Sequence, residues 1–168
     1  MKTIDPRRIT DNPIDIIGRE WMLVTAGTDR RFNTMTASWG GAGYLWNKPV
    51  AAIFVRPERH TFGFIEQTGA FSLSFLGDEH KNVHKITGSK SGRDTDKIAE
   101  AGLHPVFTET GGILYEETRL GLECRVLYAD TIEAGNFSDS SLAAQWYGPE
   151  KGGFHKMYIA EIIRAWTK

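Results

Sequence analysis

Arg56-Pro57-Glu58-Arg59-His60-Thr61 stands where an apolar run, Ala51 to Val55, gives way to a helical pattern, Phe62 to Gln67. The start of a helix leaves unpaired backbone N–H groups and the positive end of the helix dipole, and Thr61 reads as the N-cap. Arginine adds charge-assisted, bidentate hydrogen bonds. These types at this spacing suit an anion the size of a phosphate. The plainer alternative is a solvated loop in which Arg59 pairs with Glu58 or Glu66.

A second segment lies just upstream. Asn33-Thr34-Met35-Thr36-Ala37-Ser38-Trp39 is β-like and breaks into a loop, Gly40 to Pro49, that carries glycines at 40, 41 and 43 and aromatics at Tyr44 and Trp46. Small residues and glycines let a flat ligand approach the backbone, and Trp39 or Tyr44 would cover its apolar face. Equally, the segment is a hairpin whose aromatics plug one end of a barrel.

Other chemistries fail on detail. Gly41-Ala42-Gly43 lacks the third glycine of a dinucleotide fingerprint, and Pro49 interrupts the helix it would need. His80 and His84 share a helix face, but Lys81 replaces the glutamate of a zinc protease and no third ligand follows, so both read as ordinary helix residues and no metal is expected. Ser38 lacks the Gly-x-Ser-x-Gly context of a hydrolase nucleophile. Ser89 to Ile98 is a polar loop entering a helix capped by Asp94 or Thr95. No catalytic side-chain constellation emerges.

The elements that must position these residues are mostly strands. Runs at 21–26, 34–39, 50–55, 70–75, 113–117, 120–128 and 157–163 are rich in β-branched and aromatic residues between turn signals. Helical patterns at 61–67, 79–86, 95–101 and 138–146 are too few for alternating βαβ units. The expectation is a mainly β domain, a closed or partly closed barrel with short helices at its rim. At 168 residues the chain suits one domain, 1–168. A net charge of −1 supplies no field for nucleic acid or an anionic membrane. Cys124, the single cysteine, sits in an alternating run and reads as a buried thiol. Nothing resembles a signal peptide or a membrane span, which points to the cytoplasm.

Five motifs in order resemble the flavin reductase-like family, particularly its flavoredoxin-like branch. They are Asn33 to Trp39, the loop to Asn47-Lys48-Pro49, Arg56-Pro57-x-Arg59-x-Thr61, Ser91-Gly92-Arg93-Asp94-x-Asp96-Lys97, and His155-x-Met157-Tyr158-Ile159-x-Glu161-Ile162. The resemblance implies an FMN-binding split β-barrel, usually a homodimer. It places Asn33 and the backbone of Thr36, Ala37, Ser38 and Trp39 along the isoalloxazine, and Arg56, Arg59 and Thr61 on the phosphate. Lys97 approaches the flavin from another loop or from the partner subunit. Met35, Asn47 and His155 complete the implied cofactor-binding set. Ala160 departs from the family's more usual glycine. The implied activity is passage of a hydride from NAD(P)H to flavin N5 and of electrons onward to a small-molecule or protein acceptor. The alternative is a non-enzymatic FMN electron carrier reduced by a partner protein.

Overall fold

A computed structural model describes residues 1–168. It contains ten strands: β1 (Lys2–Ile4), β2 (Met22–Gly27), β3 (Phe32–Ala37), β4 (Gly40–Leu45), β5 (Lys48–Val55), β6 (Ala70–Phe75), β7 (Pro105–Phe107), β8 (Ile113–Tyr115), β9 (Leu120–Thr131) and β10 (Lys156–Thr167). Five short α-helices accompany them: α1 (Pro13–Asp15), α2 (His60–Thr68), α3 (Lys81–Ser89), α4 (Lys97–Glu100) and α5 (Ser140–Trp146). No helix is long and apolar enough to cross a membrane.

One antiparallel sheet runs β3-β2-β6-β9-β10-β5-β4, with β1 added beside β10, while β7 and β8 form a separate hairpin. The terminal strands β3 and β4 do not pair with each other, so the barrel is split. Its inward face holds Met22, Val24, Ile53, Val55, Phe71, Leu73 and Tyr158, all nearly inaccessible to solvent. Apolar burial on this scale is the main favourable term in folding. In β10 the inward phase runs Tyr158, Ala160, Ile162 and then resumes at Ala165, because an irregularity in pairing with β9 at Ile162/Arg164 shifts the two-residue period. Cys124 is part of the core, and burial pushes its thiol pKa up, as expected of a structural cysteine.

One expectation is corrected. The glycine-rich stretch after Trp39 is not a loop: Gly40 to Leu45 pairs with β5 along its whole length, from Gly40 opposite Ile53 to Leu45 opposite Lys48. The two-residue turn Trp46-Asn47 closes this hairpin with φ of 51° and 57°, the left-handed pair that matches strand twist. Gly40 is glycine because a Cβ there would meet the Ala52 carbonyl oxygen at 2.7 Å.

Candidate functional site

β3 is a terminal strand, paired only with β2, so one edge of its backbone is left without a sheet partner. Beside that edge Met35, Thr36, Ala37, Ser38, Trp39, Arg56, Arg59 and His155 line one cleft of about 260 Å3, completed by Phe54 and Trp146. Eight of the twelve residues singled out in the sequence therefore converge. An unpaired strand edge offers N–H and C=O groups at regular intervals, which suits the polar rim of a flat heteroaromatic ring.

The cleft has an aromatic wall. Trp39 packs edge-on to Trp146 at 5.0 Å between ring centroids and lies 5.1 Å from the His155 ring. The Tyr147 hydroxyl is 3.0 Å from His155 Nδ1. Burial, followed by the nearby charge of Arg56, lowers the His155 pKa to about 4. His155 is accordingly neutral near pH 7.

Arg56 has a different occupation from the phosphate contact expected of it. Its Nη1 donates to the carbonyls of Lys151 (2.6 Å) and Gly153 (2.9 Å), and its Nη2 donates to Trp146 O (3.1 Å). Glu58 Oε1 accepts from Gly153 N at 2.7 Å. The loop bearing Trp146, Tyr147 and His155 is thus stapled to the Arg56–Glu58 turn. Arg59 is freer: its one hydrogen bond runs to Gly88 O at 3.3 Å, and neither Glu58 nor Glu66 pairs with it.

Thr61 is not the helix cap either. The cap position is Arg59, without a side-chain capping bond, and Thr61 is fully buried in the first turn of α2. Its Oγ1 accepts from Asn33 Nδ2 at 2.7 Å. Asn33 shares a second cleft, about 740 Å3, with Lys97, His60 and Gly92. A Cβ on Gly92 would collide with Asn33 Oδ1, so any larger residue there would have to displace the Asn33 amide. Lys97 comes from the same chain, in a helix capped by Asp96 rather than by Asp94 or Thr95. It is almost wholly buried, with Nζ donating to Thr87 O and Lys90 O, both at 3.1 Å. No carboxylate lies within 4.0 Å of it. Burial, and then the charge of Arg59, lowers its pKa to about 8.

Asn47 is apart from all of this, at the exposed tip of the β4–β5 turn. Tyr44 is likewise exposed on β4, so of the two aromatics only Trp39 lines the cleft. The sequence reading missed Phe54, Trp146 and Tyr147. The paired aromatics 146 and 147 at the end of a helical pattern were the available signal, but only tertiary packing brings them to Trp39 and His155. His84 is also not an ordinary exposed helix residue. It is 1% exposed and packed on β3, where Thr36 Oγ1 meets its Nδ1 at 3.2 Å and Thr87 Oγ1 at 2.7 Å.

Comparison with known proteins bears on the family and the fold. The model of the flavin reductase like domain matches residues 15–168. An uncharacterized protein of Aeropyrum pernix is 30% identical over 117 residues, which is 68% of this chain and 43% of the relative, so the chain spans less than half of that protein's length. Flavoredoxin from Methanosarcina acetivorans superposes with a TM-score of 0.67 at 23% identity, over 89% of this chain and 68% of its own. Flavoredoxin of Desulfovibrio vulgaris gives 0.68 at 23%, over 100% and 77%. The FMN-binding protein from Thermus thermophilus, solved with p-hydroxybenzaldehyde, gives 0.69 at 20%, over 88% and 71%. At these identities the structures speak to the fold, an FMN-binding split β-barrel, and the matched domain speaks to descent. The chain belongs to the flavin reductase-like family.

Proposed function

We infer that the chain holds FMN along the free edge of β3 and works as an NAD(P)H-dependent flavin oxidoreductase, as a homodimer in the cytoplasm. Lys97 carries this reading. A buried ammonium with only carbonyl partners is costly unless an anion joins it, and here Arg59 adds a second cation beside it. Asn33, Lys97 and Arg59 would hold the phosphate. Met35 to Trp39 would hold the ring. Asn33 and Ala37 are four residues apart on β3, about 13 Å at roughly 3.3 Å per residue, so a single extended mononucleotide reaches both ends.

When bound, FMN would supply the two-electron chemistry linking NAD(P)H to a small-molecule or protein acceptor. The chain's own residues position and shield. Trp39 and Trp146 would exclude water from one side of the ring, and neutral His155, oriented by Tyr147, would present a hydrogen-bonding nitrogen to whatever enters beside it. The dimer is supported by β4, a terminal strand whose Tyr44 is more than half exposed, as is Trp46 in the turn that follows, close to the Tyr128 ring.

Purification followed by a visible spectrum and mass analysis of the released chromophore tests the cofactor. Anaerobic stopped-flow mixing with NADH and NADPH tests the activity. Bleaching of bound FMN is the expected result. Retention of FMN without reduction would replace the oxidoreductase with a carrier, and colourless protein that does not take up FMN would overturn the reading altogether.

A further inference from the structure

Beside the cleft at the edge of β3 lies a larger hollow of different character. Where α1 meets the start of β4, Pro13, Ile14, Ile17, Ala42, Phe54 and Ile132 wall a pocket of about 560 Å3, and none of its 12 lining residues carries a charge. In a chain with 24% charged residues this contrasts with the neighbouring clefts, one containing Arg56 and Arg59 and the other Arg30, Arg31, Arg93 and Lys97. The only side-chain hydroxyls here are those of Ser38 and Tyr147. Small-molecule sites usually have about 300 to 1,000 Å3 of space, apolar walls and a few polar groups, and this pocket has that form.

Two relations tie the pocket to the ring cleft. Ser38, Trp39 and Phe54 line both, so a molecule in one lies against residues that enclose the other. Tyr147 lines the pocket while its hydroxyl meets His155 Nδ1 at 3.0 Å, and His155 belongs to the cleft. Glycine keeps the space open. At Gly40 the Ala52 carbonyl excludes a side chain, but a Cβ on Gly41 or Gly18 would meet nothing within 4 Å, and neither has a left-handed backbone. Glycine inside a strand weakens it, and at Gly41 neither packing nor φ requires it; what it preserves is room for a ligand.

We propose that this pocket takes a neutral, apolar quinone, a flat uncharged ring that accepts two electrons, as second substrate across Trp39 from the flavin. An anionic compound would give up its hydration and find no cation, whereas an uncharged ring gains from leaving water. Turnover converts NAD(P)H, one proton and the quinone to NAD(P)+ and the hydroquinone: both electrons and one hydrogen leave NAD(P)H as hydride, and the second proton comes from solvent. The substrate role rests on the FMN reading; the preference of the pocket for uncharged rings does not.

Calorimetry with naphthol and naphthalenesulfonate, a matched neutral and anionic pair, tests the preference on flavin-depleted protein. Saturable reoxidation of dithionite-reduced, FMN-loaded protein by naphthoquinone and by its sulfonate tests the role. Naphthol should bind about tenfold or more tighter than the sulfonate, since the pocket offers the anion no partner. Gly41→Leu, which the open space at that position admits, should weaken naphthol tenfold or more and leave FMN affinity within threefold. Ala42→Lys should draw in the sulfonate and reverse the preference, with circular dichroism confirming that both variants are folded. Equal binding of the pair, or naphthol binding untouched by Gly41→Leu, overturns the proposal. So does a change of oligomeric state in Gly41→Leu with neither compound bound by the parent protein, because a second copy then fills the pocket. Selective naphthol binding with reoxidation no faster for naphthoquinone than for its sulfonate removes the substrate role. Failure of the FMN reading looks different: naphthol selectivity and its loss in Gly41→Leu persist while FMN itself does not bind.

Discussion

The hydroxyl of Tyr147 lies 3.0 Å from Nδ1 of His155, and the His155 ring in turn faces Trp39 at 5.1 Å. A residue at the end of α5 thereby orients one at the start of β10 against a side chain that follows β3. Three parts of the chain meet at one imidazole. Its protonation is governed by burial and by Arg56, so replacing Arg56 with Gln should raise the His155 pKa from about 4 toward the ordinary value of about 6.5. Imidazole resonances followed by NMR titration measure this directly, and an unchanged midpoint would contradict the assigned role of Arg56.

Arg56 and Lys97 should separate in their ligand dependence. Arg56→Ala releases the Trp146–Gly153 loop and should weaken riboflavin and FMN alike, and Arg56→Lys should not restore binding, because one ammonium cannot reproduce a fork shared by three carbonyls. Lys97→Met and Arg59→Ala should each weaken FMN about tenfold or more while sparing riboflavin, as charge-assisted bonds contribute roughly 1.5 to 3 kcal/mol. Fluorescence titration with the two flavins reads the difference.

Acid should destabilise the fold through two histidines. His84 and His155 both have pKa values lowered to about 4, chiefly by burial, against about 6.5 in the unfolded chain. A depressed pKa means that the stability these neutral rings confer is complete above pH 6.5 and is lost as the pH falls toward 4. Denaturant midpoints measured between pH 7 and 4 should decline across this window. His84→Gln should flatten part of the decline, and a profile insensitive to that variant would remove His84 as a cause.

Trp39 should report on the ring and not on the phosphate. Trp39→Phe is expected to change the fluorescence or redox potential of bound flavin while leaving the FMN-to-riboflavin affinity ratio within about twofold, since its contacts are Trp146 and His155. A changed ratio would place it nearer the phosphate than the cleft geometry does.

Stability elsewhere depends on an ion pair between a buried carboxylate and a half-buried arginine. Glu20 accepts from Gly77 N at 2.6 Å and from Arg119 through both carboxylate oxygens, and Arg119 also reaches Asp11 at 2.7 Å. Arg119→Ala would leave the Glu20 carboxylate buried and short of partners, a change that costs about 3 to 5 kcal/mol in comparable sites. Urea unfolding should show it as a lowered midpoint with an unchanged slope.

Much of the architecture was legible along the chain because strand patterning is local. Ala70 to Phe75 and the cores of β2, β5, β9 and β10 announce themselves by alternation and β-branched residues. β4 did not, since Gly40-Gly41-Ala42-Gly43 has almost no side chains to pattern; its strand conformation comes from pairing with β5. The convergence of Met35 to Trp39 with Arg59 was likewise readable, because β3 and the start of α2 are near in sequence and joined by one hairpin.

What the chain alone determined, then, was the family, the split barrel and the segment that lines the cleft. Tertiary structure decided the partners. Arg56 and Arg59 are indistinguishable as residue types, yet a loop returning about ninety residues later occupies the first, while the second keeps only a single bond, to Gly88 O. Thr61 looked like a cap until packing turned it inward to Asn33, and Lys97 became a buried cation only when α4 closed over the end of α3. Local pattern specifies which groups a segment offers; which of them remain available to a ligand depends on long-range contacts that satisfy the others first.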